Sequence, residues 1–346
     1  MNVIAENIYV EELTKYFKRS ELQLNSIHQS DAEIIKPFKN FNSKLAITTD
    51  SIVEEIAVGL YDDPYLIGWM VVMVNLSDLA AVGAEPLGIL ISEIIPKNIS
   101  HSFIMEMQRG INDACKECDT FVLGGDTNKG ANLILTGCAL GKFNSYAPNY
   151  RTGCNVGDLL YASNYLGGGN AFAITKLLDP QEDSYKYFPV ARIKEGQALR
   201  GFATACMDTS DGVISTLDQL MRLNDVGFEM NSKWENSLES EAKQIAENID
   251  MPYWLLLAGQ HGEFELLFTI KESYENHFNF LNAQMNWNPI KLGKVTEKKE
   301  LTTPLYGQLN TIDSARIRNL SNIANNDVSE YLNALLSLDR EMKKSL

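Results

Sequence analysis

Hydrophobic and polar positions alternate along this chain in short blocks, and each block predicts an element. Ile8 to Phe17 sets apolar residues at helical spacing among charges, which predicts a short opening helix. His28 to Asn42 is polar and reads as loop. Leu45 to Thr48 predicts a short strand, with Thr49, Asp50 and Ser51 directly after it, and Ile52 to Val58 is consistent with a further strand. Asp62-Asp63-Pro64 opens a helix, an acidic cap followed by proline in the first turn. That helix runs to Ala81, and Gly83 suits its C-cap. Its middle is apolar nearly all round, so it is expected to be buried. Asn75 and Asp78 interrupt it three residues apart, hence on one face. A buried carboxylate is costly unless paired or metal-bound, so a packing hydrogen bond and a ligand role both stay open.

Pro86 to Ile95 predicts a strand, and Ser100 caps a helix to about Lys116. Phe121 to Leu123 predicts a buried strand stopped by Gly124 and Gly125, and Leu133 to Leu140 another strand. Ala147 to Gly157 is rich in turn residues and marks a domain boundary. Beyond it, strands are predicted at Leu159 to Ala162, Phe264 to Ile270 and, as the last one, Ile290 to Val295. Helices are predicted from Gly167-Gly168-Gly169 to Leu178, at Ile193 to Thr204, from Gly212 to Leu223, at Trp234 to Asn248, Lys271 to Asn282 and Ser329 to Lys344. Strands and helices mix without regular βαβ spacing, so the expected class is α+β with two domains. The expected divisions are an N-terminal domain over 1–150, a C-terminal α+β domain over 151–310 and a helical tail over 311–346.

Charge narrows the partners. The 346 residues carry 45 Asp plus Glu against 30 Lys plus Arg, a net charge of -15. That sign opposes a phosphate backbone, so no nucleic-acid partner is expected. The longest nearly apolar run, Leu66 to Leu76, is too short to span a bilayer, so no membrane partner is expected either. Met1 to Val10 lacks a basic stretch followed by an apolar core, so no signal peptide is expected. Five scattered cysteines argue against a disulfide framework and for a reducing, cytoplasmic setting. Cys115 and Cys118 form a lone C-x-x-C that lacks the second pair of a zinc site.

The candidate chemistry lies in acidic residues at element junctions: Asp31, Asp50, Asp78, Asp126, Asp208 and Asp211. Several have a hydroxyl beside them, in Thr48, Thr49, Ser77, Thr127, Thr209 and Ser210. Hard oxygen donors of this kind suit Mg²⁺. Gly124-Gly125-Asp126-Thr127 offers bare backbone next to hard oxygens, which suits phosphate and metal, although a glycine-rich hairpin corner has the same composition. Neither Gly167-Gly168-Gly169 nor Gly137 to Lys142 has Walker A spacing, and no serine sits in a nucleophile-elbow context. Carboxylates and glycine corners without a nucleophile fit phosphoryl transfer.

Thr48-Thr-Asp50, Asn75-Leu-Ser-Asp-Leu-Ala-Ala-Val-Gly-Ala84, Gly124-Gly-Asp-Thr127, Met207-Asp-Thr-Ser-Asp-Gly212 and Glu263-Phe-Glu-Leu-Leu-Phe-Thr269 occur in one order. In this the chain resembles the aminoimidazole-ribonucleotide-synthetase-like superfamily, and within it the thiamine-monophosphate kinases. The resemblance spans about Asp31 to Thr269. It implies an ATP- and Mg²⁺-dependent transfer to a small phosphate monoester, in line and without a covalent enzyme intermediate. It also implies a homodimer whose N-terminal strands pair. By motif, Asp31, Thr48, Thr49, Asp50, Asp78, Asp126, Asp208 and Asp211 correspond to metal ligands, with Asp126 and Asp211 as the catalytic carboxylates. Gly125, Arg151 and Ser210 correspond to ATP contacts, and Glu263 to a substrate contact. The chain departs from the family pattern once among the acidic residues and then on the acceptor side. Ser30 stands where the family has an acidic residue, Ala57 where it has a histidine, and Glu263 where it has an aspartate. Its C-terminal aromatic has no counterpart within Ser314 to Asn325. These departures keep two alternatives open: another ATP-dependent reaction of the superfamily that activates an amide or carboxylate oxygen, and a non-catalytic nucleotide-binding dimer.

Overall fold

Pro64 and Gly83 delimit the longest apolar helix, α1 (Pro64–Val82). The Asp63 carboxylate accepts the Tyr65 N–H at 2.9 Å, and Gly83 ends the helix in the left-handed region at φ 73°. The structure, a computed structural model, describes residues 7–8, 11, 20–36, 43–179, 185–323 and 327–344. Most of the opening helix expected at Ile8 to Phe17 lies outside the described residues. The chain divides into two compact units. One comprises Arg19–Tyr150 with Phe188–Gly201; the other includes Arg151–Tyr187 and Phe202–Leu346.

In the first unit, α1 is buried along nearly its whole length. By length and composition it is apolar enough to cross a membrane, yet protein covers most of it. It packs on α2 (His101–Glu117), on the short helix Ile193–Ala198 and on a five-stranded sheet. The strands are β1 (Glu33–Ile35), β2 (Leu45–Ile52), β3 (Glu85–Pro96), β4 (Val122–Gly130) and β5 (Ile134–Lys142), in the order β1-β2-β5-β3-β4. Only β3 and β4, joined through α2, run parallel. Two glycines set the approach of the helices. A Cβ on Gly68 would stand 1.9 Å from the Met107 carbonyl oxygen, and one on Gly110 2.1 Å from that of Tyr65.

Four details differ from the sequence expectation. Glu33–Ile35 is a strand inside the expected loop, and β2 continues through Thr49, Asp50 and Ser51 to Ile52. Glu54–Ala57 is a single helical turn where a second strand was expected. Phe121 to Leu123 are exposed rather than buried, and the strand does not stop at Gly124 and Gly125. The reason is position: β4 is an edge strand, and its glycines let the backbone lie against β3. A Cβ on Gly125 would meet the Ile91 carbonyl oxygen at 1.9 Å.

The second unit holds a seven-stranded sheet of β6 (Leu159–Ala162), β7 (Ala203–Asp208), β8 (Gly227–Met230), β9 (Leu266–Ile270), β10 (Ile290–Thr296), β11 (Leu301–Leu305) and β12 (Gln308–Ile312). Its order is β12-β11-β8-β10-β6-β9-β7. With it lie α3 (Gly168–Leu178), α4 (Val213–Asn224), α5 (Ser240–Asn248), α6 (Glu275–Met285) and α7 (Val328–Lys344). Phe268, Phe278 and Trp287 form an aromatic core with ring centroids 5.7–5.9 Å apart. The helix expected at Ile193 to Thr204 ends at Ala198, and β7 follows; a short buried apolar run does not reveal its period. The helix expected at Trp234 to Asn248 is broken into a 3-10 turn, Trp234–Ser237, and α5. β10 is not the last strand: β11 and β12 form a hairpin turned by Tyr306 and Gly307, both at positive φ.

Gly68→Ala tests the helix contact. Overpacking costs about 1–3 kcal/mol and exceeds the ~1 kcal/mol that alanine gains in helix propensity, so urea unfolding should show a net loss. A stability equal to wild type would refute close packing at this point.

Candidate active site

The first unit gathers most of the expected ligands on the seam between β2 and α1. The apolar pattern of α1 forces this. Its buried face leaves Asn75 and Asp78 against β2, whose residues 48–50 carry oxygen donors. Thr48 donates its hydroxyl hydrogen bond to Asp78. Thr49 donates to the Gly137 carbonyl at 2.7 Å. The Asn75 side chain accepts the Asp50 N–H at 2.9 Å. Asp31, just before β1, and half-buried Asp78 offer carboxylate oxygens within 4.8 Å of one another. The Asp50 carboxylate is exposed and accepts the Ser51 N–H at 2.8 Å. All these donors are oxygens, which fits Mg²⁺ and excludes a soft-metal preference. Cys115 and Cys118 are buried instead, and burial pushes their thiols up to about 11 and about 12.

Gly125 and Asp126 stand elsewhere in the same sheet. Asp126 is exposed on β4 and accepts from the Asn128 amide at 2.6 Å. Register runs Asp50 to Gly137 to Ile91 to Gly125, so β5 and β3 separate the two acidic sites. Ser30, which replaces an acidic residue of the family pattern, turns its hydroxyl onto the Ala32 carbonyl at 2.6 Å. Ala57 is exposed on its helical turn.

In the second unit, Asp208 ends β7 and is 1% exposed, and Ser210 donates to its Oδ1 at 3.1 Å. Asp211 is exposed in the turn before α4. Gly212 is required there, since φ is 88° and a Cβ would stand 2.2 Å from the Gly259 carbonyl oxygen. Arg151 sits in a loop fixed by Asn224, whose amide donates to the Arg151 carbonyl at 2.9 Å and whose Oδ1 accepts the Gly153 N–H at 2.7 Å.

Glu263 is buried. Its carboxyl accepts the Gly169 N–H at the start of α3 at 3.0 Å, and Asn170 lies within 3.5 Å. Burial, then the nearby Glu239 and Glu265, raises its pKa to about 8, against the lowering effect of the Gly169 hydrogen bond. Next to it, His261 packs among Phe172 and Tyr187 with ring centroids 5.6 and 5.1 Å away. Tyr187 donates to the Gly262 carbonyl at 2.6 Å. Burial pushes His261 down to about 4. Sequence reasoning also passed over Gly169 as an ordinary turn glycine; the run of three glycines before a helix was the available signal. Tyr331 lies beyond Ser314 to Asn325, and its hydroxyl accepts the Gln260 N–H at 2.9 Å.

These shifts give a signed pH dependence. The native state keeps the Glu263 proton between its ordinary 4.5 and about 8, so stability falls as pH rises through that window. His261 acts oppositely: its contribution is present above its ordinary 6.5 and is lost as pH falls toward about 4. From pH 6.5 to 8 the Glu263 change outweighs the tail of the His261 titration, for a net loss on the order of 1 kcal/mol. Chemical denaturation across that range should show the fall in wild type and lose it in Glu263→Gln. Equal slopes in both proteins would count against the buried neutral carboxyl.

The AIR synthase related protein, N-terminal domain, family matches residues 29–143. The chain is 35% identical over 309 residues to the thiamine-monophosphate kinase of Methanocaldococcus jannaschii, covering 83% of this chain and 92% of that one. It is 30% identical over 299 residues to the thiamine-monophosphate kinase of Buchnera aphidicola subsp. Acyrthosiphon pisum, covering 83% and 90%. Among solved structures it matches "AaThiL complexed with AMPPCP and TMP" with a TM-score of 0.71 at 24% identity, over 89% of this chain and 96% of that one. It also matches the hydrogenase maturation protein HypE of E. coli with a TM-score of 0.66 at 17% identity, over 89% and 97%. At those identities the structural likeness establishes the AIR-synthase fold alone. The sequence relationship carries the assignment: this chain belongs to the thiamine-monophosphate kinase family.

Proposed function

We propose that this protein transfers the γ-phosphoryl group of ATP to the phosphate of thiamine monophosphate, giving ADP and thiamine diphosphate. The bond between the γ-phosphorus and its bridging oxygen breaks, and a bond to an acceptor phosphate oxygen forms. The observation that carries this reading is the oxygen-only seam of Thr48, Asp78, Asp31 and Asp50 in a member of this kinase family. Asp31, Thr48, Thr49, Asp50, Asp78 and Asp126 in the first unit, and Asp208 and Asp211 in the second, are assigned to Mg²⁺. The metal, when bound, neutralises charge on the phosphates. Gly125, Arg151 and Ser210 are assigned to ATP. Arg151 suits phosphate through its planar fork, and Gly125 allows close backbone approach. Asp126 and Asp211 are the assigned catalytic carboxylates, and Glu263 the acceptor contact. Five free cysteines support a reducing, cytoplasmic setting.

The working form is a homodimer on this reading. β4 is an edge strand with Phe121, Val122 and Leu123 69%, 46% and 54% exposed, and such an edge needs covering. Three strand spacings separate Asp50 from the Gly125–Asp126 pair, roughly 14 Å of sheet, more than one ion bridges. A second copy set against the β4 edge would supply the missing neighbour.

Purified protein with ATP, Mg²⁺ and thiamine monophosphate should form ADP and thiamine diphosphate in equal amounts. ADP with free phosphate alone would replace the kinase reading with a synthetase-like one. Asp126→Asn should weaken Mg·ATP binding in calorimetry and leave the circular dichroism spectrum intact. Asp50→Asn and Asp126→Asn should each be inactive. Co-refolded in equal amounts, they should recover about a quarter of wild-type activity, because half of randomly assorted dimers carry one intact site of two. No recovery would place both carboxylates in a single chain's site.

A further inference from the structure

Asn75 is fully buried in the middle of an apolar helix. It pairs with backbone. Its Oδ1 accepts the Asp50 N–H at 2.9 Å, and its Nδ2 donates to the Asp50 carbonyl at 3.2 Å and to the Val71 carbonyl at 2.9 Å. One amide thus satisfies both main-chain groups of Asp50. β1 pairs with β2 only from Leu45 to Ile47, so residue 50 lies beyond the reach of that strand. The Asn75 amide does there what a neighbouring strand would do.

The opposite strand accommodates this. Gly137 is the register partner of Asp50, and a Cβ on it would stand 2.2 Å from Asn75 Nδ2. The Gly137 carbonyl also accepts the Thr49 hydroxyl. One helical turn after Asn75, Asp78 accepts from Thr48. Two points therefore hold residues 48–50 to α1, side chain to side chain at 48 and amide to backbone at 50.

We infer that Asn75 is a positioning residue for the metal seam. By fixing the Asp50 backbone against the helix that carries Asp78, it sets where residue 50 presents its carboxylate along the seam. Asn75 is not a ligand itself, because both ends of its amide are used by main chain. This rests on the Mg²⁺ reading above. Groups that orient metal ligands typically change metal affinity by about 10–100-fold when removed.

The test is Mg²⁺ titration by calorimetry of the full chain without nucleotide, alongside thermal unfolding. Asn75→Ala should weaken Mg²⁺ binding at least about tenfold. Gly137→Ala keeps the asparagine but crowds its amide, and should weaken binding in the same direction. Met70→Ala, a fully buried core truncation in the same helix, should lower the melting temperature and leave Mg²⁺ affinity unchanged. Hydrogen exchange at the Asp50 amide should speed up in the first two variants only. Wild-type affinity in folded Asn75→Ala, or an equal loss in Met70→Ala, overturns the positioning role. Should Asn75→Ala fail to fold, Gly137→Ala decides by the same criterion. Absence of Mg²⁺ binding by wild type would overturn the metal reading itself, and the Asn75 assignment with it.

Discussion

A 19-residue helix that is apolar almost all round has to be enclosed, and the first unit is built to enclose α1. Helix α2, the sheet and the segment around Ile193–Ala198 cover it on different sides. Enclosure at this closeness needs bare backbone at the contacts: Gly68 and Gly110 between the helices, Gly196 against the Ala80 carbonyl, Gly137 and Gly141 in the strand beneath. The same enclosure makes every polar group on the helix accountable. Asn75 is satisfied by Asp50 and Val71, and Asp78 by Thr48. The polar stripe of a buried helix is thus where the strand's oxygen donors collect, so packing and site have one cause.

The carboxylates differ in burial. In the first unit, Asp50 and Asp126 are exposed and supply the charge that a divalent cation requires. In the second, burial keeps Glu263 protonated and His261 neutral around one loop. The same unit holds Asp208 and the exposed Asp211, which the proposed reading gives to metal, so the contrast lies between Glu263 and these aspartates rather than between the units.

The α+β class, the bounds of α1 and its two caps were legible in the sequence. Each has a local cause: a proline after two aspartates, a glycine after an apolar run. The errors fell where the cause is long-range. Nothing in Phe121-Val-Leu-Gly-Gly marks an edge strand, because exposure there depends on which strand comes last in the sheet. The short runs of β7 and β8 carry no period long enough to separate strand from helix, and β7 lies directly after a true helical turn. The hairpin of β11 and β12 was hidden by Pro304, which reads as a breaker but sits in a strand. For the site, residue types could be read, but not which of them meet. Asp50 and Asp126 look equivalent in sequence and stand three strands apart.

The departures from the family pattern form a consistent set once burial is considered. Ser30 is turned onto its own backbone, and Ala57 carries no polar group. A histidine lost at 57 is not replaced by His261, whose ring is held neutral between aromatic neighbours. Glu263 is one methylene longer than the aspartate of the family pattern, and that length takes its carboxyl to the first turn of α3 and the Gly169 N–H. Held there with its proton, it can donate as well as accept, whereas an ionised aspartate only accepts. On the proposed reading, acceptor recognition in this chain then proceeds through directional hydrogen bonds from neutral groups.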